Sequence, residues 1–96
     1  MAEKIEIENV GQPGKTYRVD AVKFAAVKDA VLATLPSQAP GMAVSELIAG
    51  VKPILPQDLF PEGEKAGWWV KAVQLDLEAK KVIARADKPP VRLYRL

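Results

Sequence analysis

Apolar and polar residues alternate strictly over Lys4-Ile5-Glu6-Ile7-Glu8, the period of a half-buried strand. Gly11-Gln12-Pro13-Gly14 carries turn residues, and Thr16-Tyr17-Arg18-Val19 alternates again. Together they predict an N-terminal hairpin that puts Ile5 and Ile7 on one face with Tyr17 and Val19. Asp20 follows where a helix N-cap belongs. From Ala21 to Leu35 the period becomes helical, with Phe24, Val27, Val31 and Leu35 as the apolar stripe and Lys23 and Lys28 off it. Pro36 ends this helix, because the residue before a proline avoids the helical region.

Ser37 to Gly41 reads as a loop. Ser45 is placed to cap a second helix, with Glu46 in its positively polarised first turn and Leu47, Ile48 and Val51 facing inward. Pro53 stops that helix, and Pro53, Pro56 and Pro61 mark a stiff connector. A third helix is predicted over Glu64 to Lys80, with Ala66, Val70, Val73 and Leu77 on its core stripe. Val82 to Ala86 reads as a strand, Asp87-Lys88-Pro89-Pro90 as a turn, and Val91 to Arg95 as a returning strand. The expected fold class is α+β: an N-terminal hairpin extension over residues 1–19 and one three-helix domain over 20–96.

Composition narrows the chemistry. With 49% hydrophobic and 27% charged residues, the chain is not wholly disordered. It has no Cys and no His, so it lacks disulfides, thiolate nucleophiles, the commonest zinc ligands and the usual acid/base group near neutral pH. That speaks against most enzymes, and no residue takes a catalytic label, with no metal and no cofactor expected. Gly14-Lys15-Thr16 lacks the earlier glycine of a phosphate loop, having Asn9 there, and a strand rather than a helix follows. Glu62 and Glu64 flank Gly63 and read as favourable charge near a helix N-terminus. Residues 1–10 hold Glu3, Lys4, Glu6 and Glu8, which is no signal-peptide core, and uncharged stretches such as Ala30 to Ser45 contain Pro and Gly. A cytoplasmic location with no membrane partner is the expectation.

Charge then singles out one end. The overall net charge is only +2, but Lys80, Lys81, Arg85, Lys88, Arg92 and Arg95 face Asp87 alone over residues 80–96, a local +5. Such a patch binds anions, or Arg85 and Arg92 pair with acids such as Asp76 or Asp87 or simply keep the surface hydrated.

Three helices followed by a basic hairpin, with Met42-Ala43-Val44-Ser45-Glu46-Leu47 opening the second helix and Val73 to Arg85 running from the third helix into a strand, resemble a winged-helix domain. Val91-Arg92-Leu93-Tyr94-Arg95-Leu96 resembles its second wing strand. Lys65-Ala66-Gly67-Trp68-Trp69 with Gln74 to Lys80 also resembles a small bacterial family of uncharacterised proteins, which implies no known activity. The winged-helix resemblance implies duplex DNA as a partner, with the third helix in the major groove and the wing on the backbone. Carried over, Lys71, Gln74, Leu75 and Glu78 would be exposed on the helix, and Lys88, Arg92 and Arg95 would belong to the wing. The wing fits this pattern, whereas Asp76 and Glu78 on the helix bring negative charge toward phosphate.

Trp68 offers a different function. At 100° per residue it shares a second apolar stripe with Ala72, Leu75 and Ala79, nearly opposite the first. The N-terminal hairpin, a second copy of the chain, another protein or a stacked nucleobase would each cover it. Two classes of function therefore stand open: nucleic-acid binding through Lys71, Gln74, Lys88, Arg92 and Arg95, or protein interaction and homodimerisation through Trp68 and Leu75.

Overall fold

The alternating N-terminal stretches form β1 (Lys4–Glu8) and β2 (Thr16–Asp20) in the computed structural model, which describes residues 3–96. The strands are antiparallel, with Ile5 opposite Val19 and Ile7 opposite Tyr17, so the four share one face as the alternation requires. Met1 and Ala2 of the expected 1–19 extension lie outside the described residues. Helix α1 (Ala21–Thr34) follows without a break. The Asp20 carboxylate caps it by accepting the Lys23 N–H at 3.0 Å. Leu35, extended ahead of Pro36, closes the buried stripe with Phe24, Val27 and Val31.

Strand β3 (Met42–Ala43) runs directly into α2 (Val44–Val51). The capping role expected of Ser45 is thus corrected. Ala43 pairs with Arg92 and is the last extended residue, so Ser45 already lies in the first turn. Glu46 supplies the cap's other half, its carboxylate accepting the Ala43 N–H at 3.1 Å. Pro53 sits in a single 3-10 turn, Lys52–Ile54, that follows α2. The connector drops Leu55 and Phe60 into the core.

Helix α3 (Ala66–Ala79) begins two residues later than the expected Glu64. Left-handed backbone at Glu62 (φ 54°), Gly63 (φ 73°) and Lys65 (φ 59°) turns the chain before a helix can start. Glu62 and Glu64 consequently stand ahead of its first turn, which holds no acid. Strands β4 (Ile83–Arg85) and β5 (Arg92–Arg95) pair antiparallel, with Arg85 opposite Leu93 and Ile83 opposite Arg95. They are shorter than the expected 82–86 and 91–95. β3 pairs with the free side of β5, so the sheet order is β3-β5-β4. Gly41 (φ 91°) permits this approach, because a Cβ there would run into the Leu93 carbonyl.

One core joins these parts. Trp69, Val70, Val73 and Leu77 of α3 are buried with Phe24, Val27 and Val31 of α1, Leu47 and Val51 of α2, and Ile83 and Leu93 of the sheet. The N-terminal hairpin adds Ile7 to it and docks β1 on α3. Glu8 donates its N–H to the Asp76 carboxylate at 2.8 Å, and Val10 donates to the Leu75 carbonyl at 3.3 Å.

Candidate functional site

The two adjacent tryptophans face opposite ways on α3, as the helical period demands. Trp69 is only 7% exposed and meets Phe60 edge-on, with ring centroids 6.1 Å apart at 84°. Trp68 is 58% exposed, yet its ring is braced against Trp69 at 5.2 Å and 87°. Trp68, Ala72 and Leu75 form the floor of an apolar cleft of about 460 Å³, and Ile7, Tyr17 and Val19 of the hairpin form its wall. The Tyr17 hydroxyl donates to the Gln12 side-chain oxygen at 2.7 Å, which fixes the wall to its own turn. Lys71 and Arg18 stand at the rim, with Glu8 and Asn9.

The hairpin covers the second apolar stripe only in part. Leu75 is half-buried beneath the β1 contact, whereas Trp68 stays open to solvent. Both hydrogen bonds that fasten the hairpin lie at Leu75 and Asp76, well along the helix from Trp68. Cover therefore fades toward the start of α3. Ile7, Tyr17 and Val19 were legible as one face of a hairpin, and that hairpin was one of the covers expected for the Trp68 stripe, but the cleft left between them was not legible.

The expected nucleic-acid residues divide between α3 and the β4–β5 hairpin. Gln74, expected to be exposed, is 5% exposed and donates to the Glu78 carboxylate at 3.2 Å. It is corrected to a packed residue, since its place beside Val70 and Val73 turns it toward the core. Glu78 also accepts two hydrogen bonds from Arg85, at 2.9 and 3.0 Å. This bond pushes the Arg85 pKa up, against a smaller opposing effect of burial. Asp76, expected to face phosphate, is 1% exposed and holds Lys80 at 2.8 Å as well as the Glu8 N–H. Arg95 donates from Nε to the Leu35 carbonyl at 2.9 Å, so it clamps the end of α1. The pairing of Arg85 with Asp76 or Asp87 is likewise corrected to Glu78. Lys88 and Arg92 are exposed on the β4–β5 hairpin and make no ion pair among the described residues. Lys71 is exposed too, but at the rim of the Trp68 cleft.

Among the described residues, no group of three acids, histidines or cysteines is arranged to hold a metal ion, and no helix is long and apolar enough to cross a membrane. The model of a family of unknown function (DUF6958) matches residues 4–93, and the chain belongs to that family. No curated protein and no solved structure matches it.

Proposed function

We propose that this DUF6958 chain is a non-enzymatic, cytoplasmic protein-interaction module on a winged-helix scaffold, with the cleft between α3 and the N-terminal hairpin as its docking face. Support for the scaffold is the element order, helix, short strand, two helices and two strands, together with the sheet order β3-β5-β4. The observation that carries the function is Trp68, an exposed tryptophan braced on a rigid helix beside a half-buried leucine. Covering a large apolar side chain of this kind gains about 1.5–3 kcal/mol. Reading of a major groove by α3 is disfavoured, because the hairpin is bonded to Leu75 and Asp76 on the helix. Three of the six bases over residues 80–96 are also engaged inside the chain, leaving Lys81, Lys88 and Arg92 for phosphates.

Photo-crosslinking of the full chain in cells tests this reading, with benzoylphenylalanine placed at Tyr17 or at Lys88. A protein adduct from position 17 that disappears on Trp68→Ala is the expected result. Adducts only from position 88, to nucleic acid and lost steeply as salt rises, would replace it with the DNA reading. An adduct between two copies of the chain would identify the partner as a second protomer.

A further inference from the structure

The hairpin that walls the cleft has an open edge. Glu8 sends its N–H out of the hairpin to Asp76, and Ala21 donates to the Glu3 carbonyl at 2.9 Å. Opposed residues of an antiparallel pair alternate between bonded and non-bonded. Glu8–Thr16 and Glu6–Arg18 are therefore the non-bonded pairs, and the N–H and C=O of Thr16 and Arg18 point away from β1. Neither main chain has a hydrogen-bond partner among the described residues. β2 contains no proline, its register runs unbroken through five pairs, and among the described residues no third strand covers it. Such an edge is a template for another strand.

We infer that the cleft takes an extended peptide segment of alternating apolar and acidic side chains, which adds to β2 as a third strand. This rests on the reading of the cleft as the docking face. The inner side chains of the added strand lie beside Tyr17 and Val19, next to Trp68, where only apolar groups fit the lining. Its outer side chains lie beside Arg18, whose side chain is 74% exposed and no closer than 3.9 Å to Glu6. A carboxylate opposite Arg18 gains a cross-strand ion pair. The same charge disfavours one self-pairing register of β2. Two copies paired antiparallel about Arg18 would set arginine against arginine.

The probe is a blocked heptapeptide of alternating valine and glutamate, titrated into the isotope-labelled full chain. Three comparison peptides accompany it: a valine–lysine version, and versions methylated on the backbone nitrogens of one or the other alternate set. Binding should shift tryptophan emission to the blue and slow hydrogen exchange of the Arg18 amide. The lysine peptide should bind about tenfold more weakly, and methylation of the set that pairs should abolish binding. Arg18→Pro removes the outward N–H without breaking a bond inside the hairpin, and should abolish binding, whereas Arg18→Ala should only weaken it. Binding indifferent to both methylation patterns, or equal for glutamate and lysine peptides, overturns the inference. So does absence of binding while the Tyr17 cross-link still depends on Trp68, and in that case the docking face itself stands. Loss of that cross-link dependence is the separate failure that removes the docking face.

Discussion

The chain ends in a hairpin on both sides, and the two are finished differently. The C-terminal hairpin is built in. Its strand β5 is paired on both edges, Ile83 and Leu93 are buried, and Arg95 ties it to the end of α1. The N-terminal hairpin leans on the domain through Ile7, one carboxylate and one helix carbonyl. Among the described residues it leaves β2 unpaired on one edge and Trp68 58% exposed on α3. At that end an unpaired strand edge and an apolar cleft lie side by side, whereas the edge of β4 and the exposed Leu96 at the C-terminal end stand among exposed bases. Binding capacity follows from what a fold leaves unfinished, and here the unfinished end is the N-terminal one.

The sharpest way to break this comparison is a truncation in each region. Leu93 is fully buried in the middle strand, so Leu93→Ala should cost about 2–5 kcal/mol, read from the denaturant midpoint. Ile5 is already 37% exposed in β1, and Ile5→Ala should cost clearly less. Equal losses would show that the N-terminal hairpin is as integral as the sheet.

A second test cuts the fastening itself. Asp76→Ala leaves the Glu8 N–H and Lys80 without their carboxylate. The loss should be about 1–3 kcal/mol, mostly from the amide, since Lys80 is well exposed and its pair is screened. Amide exchange should then quicken in β1 and β2 while β4 and β5 keep their protection. Uniform acceleration in both hairpins would mean that Asp76 supports the whole core.

The stripes of α1 and α3 and both hairpins were legible in the sequence because local period alone reports which side chains face inward. What escaped depends on partners far along the chain. Gln74 reads as an exposed polar residue, yet it packs beside Val70 and Val73 and donates to Glu78, which Arg85 of β4 also holds. Ser45 reads as a cap until Ala43 is held extended by β5. The two-sided character of α3 was visible, but the cleft beside Trp68 depends on a hairpin fastened at Asp76, sixty-eight residues from Glu8. No periodicity records such a contact.

A third prediction separates binding from stability at Trp68. The residue is 58% exposed and braced edge-on against Trp69, so Trp68→Ala should cost only about 0.5–1.5 kcal/mol. Calorimetry of the variant should show a small drop in midpoint, alongside complete loss of the Tyr17 cross-link. A large drop would place Trp68 among the core residues and remove the reason to regard it as a docking group.

The smallest effect is expected at the other end. Lys88 and Arg92 are exposed and carry no ion pair among the described residues, so reversing both to glutamate removes no packing and no buried partner. Stability should move by less than about 0.5 kcal/mol. With a local charge of +5 over residues 80–96, the double reversal adds two acids where two bases stood and brings that region to +1. Attraction of duplex DNA at low salt should therefore collapse, because it depends on the number of phosphates neutralised. Cross-linking from Tyr17 and the tryptophan emission should not change, since neither residue belongs to the cleft. A reversal that abolishes the Tyr17 cross-link would mean that one partner spans both ends, and the division between a built-in hairpin and a docking hairpin would have to be abandoned.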